Sequence, residues 1–171
     1  MNNYLELLQP ILASFSLANN FETIIASIFG SQSPEKINLL RQEWFTKTWT
    51  LPTIEVVAGS ALNGAVGGYS LQTGKIYLSR EMVELGDIGL LKKILLEEYG
   101  HAVDARLNGL VDSPGDEGEL FAAVVLGLPL DAGELQKIRG ESDQGVLTIE
   151  GEEPVEIEMA TLVKSDLFTT N

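Results

Sequence analysis

A helix whose apolar face turns polar halfway along constrains this chain more than any other feature. Between Leu90 and Asn108, Leu90, Leu91, Ile94 and Leu95 recur at helical spacing, and the same face then presents Glu97, Glu98, His101 and Asp104. Glu97 and His101 stand one turn apart at i and i+4, and Asp104 follows a further turn on. The three can therefore converge on one point and chelate a cation.

A lone histidine on a helix is more often a hydrogen-bonded core residue than a ligand, and acids beside it often form only a solvated edge. Two features favour the ligand reading. Glu97-Glu98-Tyr99-Gly100-His101 has the spacing of the zinc-hydrolase motif HExxH, with Glu97 in the place of the first histidine and Glu98 in that of the general base. Downstream, Asp116-Glu117-Gly118-Glu119 opens another apolar segment and offers a third ligand. Glu117 shares a stripe with Leu120, Phe121 and Val124, so it should face inward and need a partner, for which a cation is one candidate. Glu119, on the face of Ala122, Ala123 and Leu126, is the second choice. In the competing reading, Ser113 caps a helix with Pro114 at its first position, and the acids only stabilise that helix start.

Which ions and partners the chain can take follows from its charge. With 25 Asp and Glu against 11 Lys and Arg, the net charge of −14 disfavours nucleic acid and anionic membranes and favours cations or basic partners. Cysteine is absent, which removes disulfides and thiolate metal sites and leaves Glu, Asp and the sole histidine, His101, as the ligand supply. No apolar run approaches the ~20 residues of a membrane span. Met1 to Leu8 lacks the basic start of a secretory signal, so a cytoplasmic location is the default expectation. At 171 residues, one domain with a substantial core is expected.

Met1 to about Gly30 reads as two amphipathic helices broken near Asn19-Asn20. Ser33-Pro34-Glu35 then starts a third that carries Ile37, Leu40 and Trp44. Trp44 and Trp49 are expected to pack in the core or a lid rather than line a binding surface. From Leu51 the chain turns β-rich. Gly67 and Gly68 suggest a bulged strand close to other backbone, and Tyr69-Ser70-Leu71 alternates with Lys75 to Ser79 around Gln72-Thr73-Gly74 as a hairpin. That hairpin should place an exposed strand edge beside the helix, with Tyr69, Ile76, Tyr77 and Leu78 holding an extended peptide by β-addition. Leu130 to Arg139 reads as a short helix, and Gly145 to Glu158 as a second hairpin turning at Gly151-Glu152-Glu153. The division expected is residues 1–48 as a helical part, 49–160 as the core and 161–171 as a tail.

Trp49 to Glu55, Leu62-Asn63-Gly64-Ala65, Lys75 to Ser79, Leu95 to Ala105, Asp112 to Gly118 and Leu147 to Gly151 together resemble a module of large cyanobacterial haemolysin-type calcium-binding (RTX-like) proteins. The resemblance runs from about Phe21 to Ala160 and implies export without a signal peptide. The Gly-Gly-x-Gly-x-Asp nonapeptides of such proteins are absent, so calcium binding by that device is not implied. A weaker resemblance is to minimal zincin metallopeptidases, and it implies Glu98 as the base that activates metal-bound water, His101 as a ligand and Glu117 or Glu119 as the third ligand. Glu97 departs from the pattern. Two anionic ligands and one imidazole neutralise a divalent ion and weaken its pull on water, so zinc is the first expectation and manganese, iron or calcium are alternatives.

The expectation from sequence is an α+β, zincin-like chain: N-terminal helices, a small sheet with a hairpin, an active-site helix, a second ligand helix and a C-terminal hairpin. Its expected function is metal-dependent peptide hydrolysis. The alternative is a catalytically inactive cation-binding or protein-interaction module of the same shape, and a third reading makes the polar helix face a satisfied buried network.

Overall fold

A computed structural model describes residues 3–109 and 115–161. Seven α-helices and a five-stranded mixed sheet make up the described residues, an α+β arrangement. None of these helices is long and apolar enough to cross a membrane.

Three N-terminal helices, α1 (Tyr4–Phe15), α2 (Phe21–Phe29) and α3 (Pro34–Thr46), bury the stripes legible in the sequence, among them Leu8, Leu12, Phe21, Ile25, Leu40 and Trp44. Ser33 caps α3 through the Lys36 amide with Pro34 in the first turn, as the sequence predicts. Arg41 fixes the turn between α1 and α2: its guanidinium donates to the Ser16 and Ala18 carbonyls and lies over the Phe21 ring.

The sheet runs β1-β3-β2-β5-β4, from β1 (Thr53–Val57), β2 (Gly67–Ser70), β3 (Lys75–Ser79), β4 (Gln144–Leu147) and β5 (Val155–Ala160). Both expected hairpins form, since β2 pairs antiparallel with β3 and β4 with β5. The expected peptide-binding edge does not. β1 pairs in parallel with β3 along its whole length and β2 takes the other side, so Lys75 to Ser79 is an interior strand with its backbone ladder filled. β1 returns alongside β3 because a short 3-10 turn, Gly59–Leu62, carries the chain past the strand end before β2 begins.

The bulge expected at Gly67 and Gly68 is also absent, as β2 keeps one register through both. The glycines serve close approach instead. A Cβ on Gly67 would lie 2.7 Å from a Glu98 carboxylate oxygen and 2.8 Å from Ile94, and one on Gly68 would meet Ile157.

After the short α4 (Arg80–Leu85), the long α5 (Ile88–Asn108) is capped by Asp87 through the Leu90 amide and packs against β2 and β5. Crossing it is α6 (Glu117–Val125), followed by α7 (Ala132–Gly140) with a capping box of Asp131 and Glu134. The N-cap of α6 is Asp116; Ser113 and Pro114, expected to start that helix, lie outside the described residues. Where α5 and α6 cross, Gly100 and Gly118 face each other, and a Cβ on Gly100 would lie 2.9 Å from the Gly118 Cα.

Trp44 and Trp49 both enter the core, together with Phe15, Phe21, Phe29, Tyr99 and Phe121, and the Trp44 indole donates to the Tyr99 hydroxyl. This aromatic mass locks α1 to α3 onto α5 and α6. A smaller cluster of Val57, Leu62, Tyr77, Leu147 and Ile157 covers the opposite face of the sheet.

Candidate metal site

Continuing a buried helical stripe with polar residues forces those residues inside. Glu97, Glu98, His101 and Asp104 are 6 %, 0 %, 2 % and 6 % exposed, so each needs a partner within the protein. They find different ones.

Asp104 accepts from the Asn108 amide at 2.7 Å, and Asn108 also binds the Phe29 carbonyl and Gln32. This network ties the end of α5 to α2. It gives Asp104 a structural role at the end of α5.

Glu98 turns toward the sheet, and its Oε1 accepts from the Ala160 amide at 3.1 Å. Gly67, lacking a Cβ, makes room for it. The second oxygen, Oε2, is buried with no hydrogen-bond partner. Burial first, then repulsion from Glu97, holds this carboxyl well above the usual carboxylate range, against the opposing pull of the Ala160 amide; Asp116 and Glu158 add smaller upward pushes.

His101 sits where three elements converge. Its Nδ1 is 3.2 Å from Glu158 Oε2 on β5, which places the ring proton on Nδ1. Nε2 lies 3.7 Å from Asp116 Oδ1, at the start of α6, and 3.4 Å from Asp143 Oδ2, in the connection from α7 to β4. It is buried and has no hydrogen-bond partner. Burial alone pushes the imidazole down to about 4, so at neutral pH an unprotonated lone pair faces two carboxylates. Asp116 is itself pushed up to about 7 by burial, opposed by its bond from the Glu119 amide and reinforced by Asp143.

One ligand atom from each of His101, Asp116 and Asp143 lies within 4.8 Å of the others, the spacing a bound cation needs. A tetrahedral ion with ligands at ~2.1 Å has edges of ~3.4 Å, close to both separations from Nε2. The donor set of one nitrogen and two carboxylates suits zinc, manganese or iron, and its two negative charges match a divalent ion. The Glu158 contact on the far nitrogen is the carboxylate support that metal-bound histidines usually have.

Only His101 of the sequence-derived ligands belongs to this trio. Glu97, one turn before it, lines a cavity of about 210 Å³ with Asp116, Glu119 and Asp143, beside the trio rather than within it. Glu117 is buried as its stripe requires, but it lines a different cavity, with Ile28, Leu120 and Arg139. Of the residues expected to hold peptide, Ile76 and Leu78 are in the core, Tyr77 bonds Thr73 on the opposite sheet face and lines a pocket of about 200 Å³ there, and Tyr69 lines one of about 640 Å³ on the helix-facing side.

Asp116 and Asp143 were not singled out as ligands by the sequence. Asp116 had a signal, since Asp-x-x-Glu marks an N-cap and an N-cap at a helix crossing points its carboxylate inward. Asp143 had none, because a loop residue takes its place from the β4–β5 pairing, where the Met159 amide donates to the Asp143 carbonyl.

Comparison of the chain with protein-family models, with curated proteins and with solved structures finds no match.

Proposed function

We propose that the protein is a divalent-cation-binding module in which His101, Asp116 and Asp143 hold the ion. One observation carries this reading: a buried Nε2 lone pair, unpartnered by any hydrogen bond, faces two carboxylates while Glu158 secures the other ring nitrogen. Negative groups gathered around a lone pair repel one another, and a cation between them turns that repulsion into attraction. The ion would join α5, α6 and the α7–β4 connection, adding a polar link to the Tyr99–Phe121 packing that already holds α5 and α6 together. Elemental analysis of protein purified without added metal should find one divalent ion per chain, and His101→Ala should lose it. Equal metal content in the two proteins would rule out the assignment.

Metal-dependent peptide hydrolysis in a zincin-like arrangement is the second reading, favoured by the cavity lined by Glu97, Asp116 and Asp143 next to the ion position. The ion would supply an activated water, and Glu98, once ionised, would take its proton; its raised pKa places that activity toward higher pH. Because Glu98 Oε1 is held by the Ala160 amide, only Oε2 is available for that task. Under this reading Glu98→Gln retains metal and loses peptide hydrolysis. Hydrolysis that survives the substitution excludes Glu98 as base.

A further inference from the structure

A pocket lies on the helix-facing side of β2, β5 and β4, beyond the cover of α5. It encloses about 640 Å³, within the ~300–1,000 Å³ usual for ligand sites. Leu71 and Val146 form its apolar walls and stand 48 % and 41 % exposed. Tyr69 and Gln144 flank the floor, and Glu156 and Glu158 supply its charge. Among the described residues no lysine or arginine lines it. Glu158 is the residue whose Oε2 meets His101 Nδ1, yet its side chain remains 28 % exposed in the pocket.

We infer that this pocket docks a basic side chain flanked by apolar residues, a lysine or arginine within a peptide segment, with Glu158 and Glu156 receiving the cation and Leu71 and Val146 receiving its neighbours. The fit is one of charge and shape. Two carboxylates on a half-enclosed apolar floor, in a chain of net charge −14, repel acidic partners and draw basic ones. The outer edge of β4 is partly engaged, as the Asn63 side chain donates to the Val146 carbonyl and, just past the strand, the Thr148 amide donates to the Ala61 carbonyl. Recognition therefore rests on side chains rather than on strand addition. It stands whether or not an ion occupies the His101 site.

The test is a titration of the full chain, followed by amide chemical shifts, with the peptide acetyl-Leu-Lys-Leu-amide and its uncharged analogue carrying norleucine for lysine. The lysine peptide should shift Tyr69, Val146 and Glu156 saturably. The analogue should bind about 5-fold more weakly or worse, the weight of one or two partly exposed ion pairs. Glu156→Gln and Leu71→Ser, both at exposed positions that folding tolerates, should each weaken the lysine peptide. Equal binding of the two peptides, shifts confined to other surfaces, or no shifts at millimolar peptide would each overturn the inference.

Discussion

Gly118 lies against the imidazole of His101 so closely that a Cβ at that position would collide with Nε2 and would sit 2.6 Å from the Glu97 carbonyl. The glycine lets α6 cross α5 at the one place where the helix face has become polar. It thereby brings Asp116, two residues earlier, to the ring.

Gly118→Ala should therefore do two things at once. The added methyl meets backbone as well as a side chain, so the helices must separate, and overpacking of this kind costs about 1–3 kcal/mol. Chemical denaturation should register that loss, and metal affinity should fall with it because Asp116 moves away. An unchanged midpoint together with unchanged metal binding would mean that the crossing is looser than the contacts indicate.

Glu98 offers a different test. Burial and then Glu97 push its carboxyl well above the usual carboxylate range, and glutamine is close to an isosteric replacement for the protonated form. Glu98→Gln should leave stability within about 1 kcal/mol below about pH 4.5, where the wild-type carboxyl is neutral folded and unfolded, and should raise it toward neutrality, whereas Glu98→Ala, which opens a cavity and strands the Ala160 amide, should cost about 2–4 kcal/mol relative to Glu98→Gln. The sign of the pH dependence is also fixed. A carboxyl whose folded pKa is raised loses its folded-state advantage as pH climbs from its ordinary value through the raised one, so Glu98→Gln should flatten the decline of stability at high pH. Thermal melts across pH measure both effects.

The metal-free cluster carries two opposing pH terms. Asp116, raised from 3.8 to about 7, makes folding less favourable as pH rises across that interval. His101, lowered from 6.5 to about 4, makes folding less favourable as pH falls across its own. Above about pH 6.5 the histidine no longer contributes, and the metal-free melting temperature should drop toward about pH 8. A bound ion keeps Asp116 ionised, so the gain in melting temperature on adding metal should grow over that range. A gain that shrinks instead would separate Asp116 from the ion.

Much of this arrangement is legible in the chain. The stripes of α1 to α3, the Ser33 cap, both hairpins and the polar switch on α5 follow from spacing and turn residues, because those are local properties. The position of Lys75 to Ser79 is not local. Whether a strand is an edge depends on which distant strand comes to pair, and here β1 does so in parallel. The same limit explains the ligands. His101 and its acidic neighbours announce themselves along one helix, but the carboxylates that meet its ring come from a cap and a loop placed by the α5–α6 crossing and by the β4–β5 hairpin. Glu97 and Glu119 share a cavity with Asp116 and Asp143, Glu117 shares another with Asp116, and Asp104 bonds Asn108.

The most direct test is an anomalous difference map from crystals of the full chain grown without added metal. A peak about 2.0–2.3 Å from His101 Nε2, between Asp116 Oδ1 and Asp143 Oδ2, is the expected result. A map without a peak there, with Nε2 hydrogen-bonded instead to a carboxyl group or a water, would contradict the cation site.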